Sequence, residues 1–132
     1  MERCFALHSN LTNLYARALF LGEVSFHFNP LELGEIQLVQ ADAATFLERQ
    51  PEGSFDGFAL SNILDGANGA YGRRLSAAVK RAAAPGAVVV RRSFREPLVA
   101  VPTNHAAEDR AMLWGIVDVR PALSPPLDEM QN

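Results

Sequence analysis

The chain has 132 residues, a net charge of −3 and 48% apolar residues, values typical of one ordinary globular domain with a sizeable core. The small net charge does not indicate bulk nucleic-acid binding, and no apolar run approaches the ~18–20 residues of a membrane-spanning helix. The single cysteine, Cys4, cannot form an internal disulfide, and the N-terminal segment MERCFALHSN lacks the apolar region of a secretory signal. We therefore expect a soluble, cytoplasmic protein without a nucleic-acid partner.

The first two elements predicted along the chain are a helix and an extended segment. Apolar residues recur at helical spacing from Asn10 to Leu21, with Ser9 or Asn10 as candidate N-caps and Gly22 as the stop. Alternating apolar residues then predict a short extended piece, ending in a turn, between Glu23 and Gly34.

The middle of the chain predicts two strand–helix units followed by a third strand. A short apolar strand at Ile36–Val39 leads into a helix at Ala43–Gln50, and a strand at Phe55–Leu60 leads into a helix at Ala70–Ala84. Few polar residues occur in the second strand, so we expect it to be buried and parallel to its neighbour. The run Ala87–Val90 is the most β-branched of the chain and is typical of a central strand.

The last part of the chain predicts one more connection and one more strand. Residues Arg95–Glu108 indicate a loop or a partly helical connection, and Ala111–Val119 a final strand or a hairpin folded near Gly115. The predicted fold class is therefore α/β: one domain over residues 1–120 with a small, mostly parallel, Rossmann-like sheet flanked by helices. Residues 121–132 are expected to form a flexible tail.

Polar residues follow each of the three predicted strands in the middle of the chain. Asp42 comes after the first strand, Ser61 and Asn62 end the second, and Arg91-Arg92 end the third. In an open α/β sheet, ligands bind outside the carboxyl ends of the strands. These positions therefore predict a small-molecule site.

Each of these positions also has a structural interpretation. Asp42 is suited to cap a helix as well as to accept a hydrogen bond from the exocyclic amine of an adenine, and the two roles can coexist. Ser61 and Asn62, with the Asp65 carboxylate nearby, suit a strand-to-helix turn as well as a polar site.

The arginine cluster also allows two interpretations. Arg91 and Arg92 could clamp a carboxylate or phosphate, or could be solvated surface charge. Trp114 is expected in the core rather than as a stacking platform. The three histidines lie far apart in sequence, so a local metal site is not predicted, and neither a Gly-x-Ser-x-Gly motif nor a phosphate loop occurs.

Three segments resemble, in their order and spacing, the C-terminal half of a class I S-adenosylmethionine-dependent transferase. They are VQADAATFL, SFDGFALSNILD and LSAAVKRAAAPGAVVVRRS. They are similar to that superfamily's third strand with its adenine-side acid, its fourth strand with the active-site end, and its helix–Pro-Gly–fifth strand passage. The likeness covers residues 34–119 and is closest to the S-adenosylmethionine:diacylglycerol 3-amino-3-carboxypropyltransferase family, to which Asp109-Arg110 and Trp114-Gly115 add a further resemblance.

The resemblance implies S-adenosylmethionine as the cofactor and aminocarboxypropyl or methyl transfer to a small-molecule or lipid acceptor. The cofactor-binding residues that it implies are Asp42, Ala43, Ser61, Asn62 and Ile63, the first two near adenine and the others bordering the methionine moiety. Asp65 is the candidate for the catalytic base or for substrate orientation. Arg91 and Arg92 are candidates for contact with the substrate or an anion.

One departure from the superfamily leaves a rival hypothesis open. Residues Met1–Leu33 are too short for two strand–helix units and contain no Gly-x-Gly, so the backbone amides that a glycine-rich turn gives to the cofactor would be missing. We expect either a transferase-like domain truncated relative to the full fold, as a fragment, split partner or degenerate member, or a non-catalytic α/β module. Such a module would complete its sheet by homo-oligomerising or by pairing with another chain. A third hypothesis is an unrelated α/β protein that holds an anion through its arginines.

Overall fold

The computed structural model describes residues 9, 11–22, 35–97, 104–111 and 113–124. Three helices and three strands lie within these ranges: α1 (Leu14–Leu21), α2 (Ala43–Glu48), β1 (Phe55–Ser61), α3 (Gly69–Ala82), β2 (Ala83–Ser93) and β3 (Ile116–Pro121). None of the helices in these ranges is long and apolar enough to cross a membrane. The extended segment predicted at Glu23–Gly34 and most of the predicted tail lie outside the described residues.

The three strands form one sheet in the order β1–β2–β3. β1 runs parallel to β2, and β3 runs antiparallel to it. The helix α3 connects β1 to β2, as a parallel pair requires. The predicted α/β class, a small sheet flanked by helices, is confirmed. The Ala87–Val90 run lies in the central strand, as predicted.

The core lies between one face of the sheet and the helices α2 and α3. On α3, buried residues recur at helical spacing and include Leu75, Ala78 and Val79, which contact Phe58 of β1 and Val89 of β2 in one apolar cluster. Ala44 and Leu47 of α2 belong to the same cluster. The apolar stripe of α3 therefore holds the sheet and both helices together.

The opposite face of the sheet is exposed in the described part of the chain, which corrects one expectation. Gly57 and Ala59 of β1 are exposed, and Val88 and Val119 of the neighbouring strands are 40% and 37% exposed. β1 is thus an edge strand with one open face and not a strand buried on both. The lack of polar residues in β1 does not distinguish a strand buried on both faces from one with an open face. Glycine and alanine place little apolar surface in water even when they are exposed.

The start of α1 differs from the prediction, whereas its end agrees with it. Asn13, and not Ser9 or Asn10, is the N-cap: its side-chain oxygen accepts a hydrogen bond from the Tyr15 amide at 3.1 Å. The Asn13 amide group also donates to the carbonyl oxygen of Arg110 at 2.8 Å. This contact with a distant segment selects the cap. Gly22 ends the helix at φ 68°, as predicted.

The predicted strand at Ile36–Val39 is wrong. Residues 35–40 are described and contain no strand, and Leu38 is 92% exposed. The apolar, β-branched composition of this segment favours a strand by propensity. A strand forms only where a neighbour completes its backbone hydrogen bonds and covers its side chains.

The remaining boundaries shift by a few residues. α3 ends at Ala82 because Ala83 already has extended backbone angles, so β2 begins before Pro85-Gly86 and not after it. The pairing with β1 accommodates this early start through a bulge, since Phe55 pairs with Ala83 but Gly57 pairs with Val88. Of the two alternatives for Ala111–Val119, the structure has a final strand: β3 begins after Gly115 and extends to Pro121.

A close backbone contact at Gly115 gives a test of this packing. A Cβ atom at Gly115 would fall on the backbone carbonyl group of Arg95, whereas one at Gly57 would meet the nearest atom, the Val88 carbonyl oxygen, at 3.8 Å. We expect Gly115→Ala to lower the free energy of unfolding by about 1–3 kcal/mol, measured by urea denaturation, because backbone must move. Gly57→Ala is the matched control and should change stability little; equal losses in both variants would contradict the contact.

Candidate functional site

Two of the predicted strand ends meet at the carboxyl edge of β1 and β2. Ser61 pairs with Arg92 in the parallel register, and the Arg92 guanidinium lies 3.5 Å from the Ser61 hydroxyl oxygen. The Asn62 amide donates to the Arg92 carbonyl oxygen at 2.8 Å, which extends the pairing by one residue. The structure therefore brings Ser61, Asn62 and Arg92 together, as the sequence predicted. We call these residues, with Asp65 and Ser93, the carboxyl-edge cluster.

Asn62 turns the chain out of the sheet. It has φ 43°, the left-handed region that asparagine tolerates better than most residues other than glycine. Its carbonyl oxygen accepts a hydrogen bond from the Asp65 amide at 3.1 Å, which closes the turn. The backbone thus fits the turn interpretation, while the side chain is exposed at the edge of the sheet.

Asp65 joins the loop after β1 to the end of β2. One carboxylate oxygen accepts a hydrogen bond from the Ser93 hydroxyl at 2.6 Å, and the other accepts one from the Phe94 amide at 2.9 Å. Ser93 is itself buried. Both oxygens accept hydrogen bonds within the fold, so the carboxylate has a fixed position at this edge of the sheet.

An aromatic pair flanks the cluster, and the sequence did not predict it. Phe94 and Trp114 stack with their ring centroids 4.6 Å apart and their planes at 20°. Phe94 is 56% exposed, and Trp114 is only half-buried, so the expectation of a core tryptophan is not met. The two residues meet because the Gly115 amide donates to the Ser93 carbonyl oxygen at 3.0 Å. Such a long-range contact has no local signal in the sequence.

The two arginines at the end of β2 do not form one clamp. Successive side chains of a strand point to opposite faces of the sheet. Arg92 lies on the open face beside Ser61, whereas Arg91 lines a cleft on the helix-covered face together with Val89. The predicted pair of guanidinium groups is therefore divided between two places.

Asp42 is the N-cap of α2, so the structural interpretation of this residue is confirmed. One of its carboxylate oxygens accepts hydrogen bonds from the amide and the hydroxyl of Thr45, both at 2.8 Å. Arg74 of α3 lies 3.6 Å from the same oxygen and also forms an ion pair with Glu48 at 2.6 Å. These contacts tie Asp42 to α2 and α3, and its predicted contact with adenine stays a prediction.

The same contacts shift the acidity of the group. The two hydrogen bonds from Thr45 are the largest causes that lower the pKa of Asp42 below its ordinary value; a hydrogen bond from Tyr71 and the charge of Arg74 add to them. The carboxylate is therefore held in its ionised form. Of the remaining predicted residues, Ala43 and Ile63 are partly buried against the apolar core, so their backbone rather than their side chains would face a ligand.

The lowered pKa of Asp42 predicts a pH dependence. The ionised carboxylate stabilises the fold fully above its unfolded pKa, which is about 3.9, and this contribution is lost as the pH falls through the lower folded pKa. We expect Asp42→Asn to weaken the fall in urea-denaturation midpoint on acidification, because the amide cannot titrate. Glu52→Gln, at an exposed carboxylate in the turn after α2, is the control and should keep the wild-type slope. An unchanged slope in Asp42→Asn would contradict the assignment.

No group of three histidine, cysteine, aspartate or glutamate side chains within the described ranges is placed to hold a metal ion. The chain matches no protein-family model, no curated protein and no solved structure.

Proposed function

We propose that this chain is an S-adenosylmethionine-dependent transferase-like domain that binds the cofactor at the carboxyl ends of β1 and β2. The observation that carries the proposal is the meeting of Ser61, Asn62 and Arg92 at that edge. Ligands of open α/β sheets bind at this position. The order of the motifs along the chain supports the same cofactor.

The donors and acceptors of the cluster fit the amino-acid end of such a cofactor. The Asn62 side-chain amide both donates and accepts, which suits an ammonium group beside a carboxylate. The Arg92 guanidinium suits the carboxylate. Adenine would lie towards Asp42 and Ala43, where the Asp42 carboxylate would accept from its exocyclic amine in addition to the bonds from Thr45 and Tyr71.

The reaction needs little covalent chemistry from the protein. The sulfonium supplies an activated carbon, so an aminocarboxypropyl or methyl group passes to an oxygen or nitrogen nucleophile as the carbon–sulfur bond breaks. The neutral thioether leaves with the bonding electrons, and the nucleophile gives its proton to solvent. The protein then mainly positions the reactants. Asp65, held by Ser93 and the Phe94 amide, would orient the acceptor, which is a small molecule or a lipid in this proposal.

Titration calorimetry with S-adenosylmethionine and S-adenosylhomocysteine tests the proposal directly. We expect saturable binding of both, because they share the adenosine and amino-acid groups. Asn62→Gly should weaken binding by about fivefold, the loss of one or two hydrogen bonds, and glycine suits the φ of 43° at this position. Asp56→Asn, at an exposed residue near the other end of β1, is the control. No saturable binding at millimolar ligand, or wild-type affinity in Asn62→Gly, would overturn the proposal.

A second candidate function is a non-catalytic module that pairs with another copy of itself. The open face of the sheet favours it. Two rows of paired residues cross that face: Gly57–Val88–Pro121 and Ala59–Val90–Val119. Their exposed apolar surface, together with β1 at the edge of the described sheet, is what a partner would cover.

Light scattering after size-exclusion chromatography tests the second candidate. If the open face is an interface, the wild type is a dimer and Val88→Lys is a monomer, because a lysine at the centre of the apolar face would be buried without a partner. Arg73→Glu, on the exposed face of α3, changes charge elsewhere and should remain a dimer. A monomeric wild type with a cooperative thermal transition would contradict this candidate.

A further inference from the structure

The stacked aromatic pair beside the carboxyl-edge cluster leaves part of its surface in water. The ring centroids of Phe94 and Trp114 lie 4.6 Å apart, yet the Phe94 side chain is 56% exposed. Phenylalanine is among the residues most often buried in proteins. One face of the Phe94 ring is therefore covered by Trp114, while the rest of the ring faces solvent just beyond the end of β2.

Backbone hydrogen bonds fix both segments that carry this pair. The Phe94 amide donates to the Asp65 carboxylate at 2.9 Å. The next amide in the chain, that of Arg95, donates to the Ser93 hydroxyl oxygen at 3.0 Å. From the second segment, the Gly115 amide donates to the Ser93 carbonyl oxygen, also at 3.0 Å. The two rings are thus attached to fixed backbone, which reduces the entropy lost when a ligand binds to them.

The same hydrogen bonds place a carboxylate next to the exposed ring. Asp65 accepts from the Ser93 hydroxyl and the Phe94 amide, whereas an ionised carboxylate has about four acceptor sites. It can therefore accept a further hydrogen bond from a ligand, and that ligand needs an O–H or N–H group because a carboxylate does not donate. The flat ring of Phe94 favours an aromatic partner in an offset stack. The two features together select an aromatic ring that bears a hydrogen-bond donor.

We propose that the acceptor of the transfer reaction is an aromatic compound with a hydroxyl or amino group on its ring, a phenol or an arylamine. This inference rests on the proposed function, in which Asp65 orients the acceptor and adenine lies elsewhere, towards Asp42. The acceptor ring stacks on Phe94 beside Trp114, and its O–H or N–H group donates to Asp65. In the transfer step, the acceptor oxygen or nitrogen forms a bond to the cofactor carbon and gives its proton to solvent. The carbon–sulfur bond breaks, and its electrons stay on the sulfur.

NMR titration tests this binding through one unambiguous signal. Trp114 is the single tryptophan of the chain, so its indole N–H reports on the aromatic pair. We expect para-cresol or para-toluidine to shift this signal and the Phe94 amide saturably, and the tighter of the two identifies the nucleophile. The ether para-methylanisole lacks the O–H group and should bind about tenfold more weakly than para-cresol, the loss of one hydrogen bond to a charged group. The aliphatic para-methylcyclohexanol keeps the hydroxyl but cannot stack, and should bind about fivefold more weakly.

The same titrations can contradict the proposal. No saturable shift with either para-cresol or para-toluidine would overturn it. So would an affinity for para-methylanisole or para-methylcyclohexanol equal to that for para-cresol, because the donor or the ring would then contribute nothing.

A pair of matched variants tests the role of the ring. Phe94→Leu keeps an apolar side chain at an exposed position but removes the ring, and should weaken para-cresol binding by about fivefold. Phe55→Leu makes the same change at the other end of β1 and should keep the wild-type affinity. Wild-type affinity in Phe94→Leu, or an equal loss in both variants, would overturn the proposal.

Titration with S-adenosylhomocysteine separates this inference from the proposed function. We expect para-cresol to bind with undiminished affinity in the presence of saturating S-adenosylhomocysteine, because acceptor and cofactor occupy neighbouring places. Competition between them would put the cofactor on the aromatic pair and overturn the inference. Cofactor binding without para-cresol or para-toluidine binding would overturn this inference alone. Binding of para-cresol without cofactor binding would overturn the proposed function, and with it the acceptor role, while an aromatic-binding site at Phe94 would remain.

Discussion

Two parallel strands cannot be connected by a tight turn and need a longer crossover. The rest of this structure depends on the helix that provides the crossover. α3 carries the chain from the carboxyl end of β1 back to the start of β2 and packs its apolar stripe on both strands. Because of that crossover, Ser61 and Arg92 reach the same edge of the sheet although 31 residues separate them. The cleft on the helix-covered face, which Arg91 and Arg120 line, lies beside the same helix.

Much of this arrangement could be predicted from patterns that act over short distances. The stripe of Leu75, Ala78 and Val79, the cap at Asp42 and the stop at Gly22 each follow from spacing or from one residue's local chemistry. The β-branched run of β2 identified the central strand, because such residues suit a position with neighbours on both sides. These features lie close to their predicted positions.

The features that could not be predicted depend on partners distant in the chain. Ile36–Val39 has a strand's composition, but the described sheet offers it no neighbour, and its side chains stay exposed. Asn13 became the cap of α1 through its bond to the Arg110 carbonyl oxygen. The stacking of Phe94 on Trp114 and the ion pair of Asp118 with Arg120 also join separate segments. The residues of the candidate site at the ends of β1 and β2 could be predicted from the sequence. The cleft on the helix-covered face could not.

The alternation of Arg91 and Arg92 has a consequence for how β2 can change. A shift of the strand by one residue would carry every side chain to the other face of the sheet. Arg91 would then lie on the open face, and Arg92 on the helix-covered face. Near the start of β2, between Ala83 and Val88, the pairing with β1 already contains a bulge. An extra residue can therefore be absorbed in this part of the strand. An inserted residue there leaves both charges in place. A residue inserted after Val88 would move each of the two arginines to the opposite face. The last five residues of β2 therefore tolerate substitution far better than a change in length.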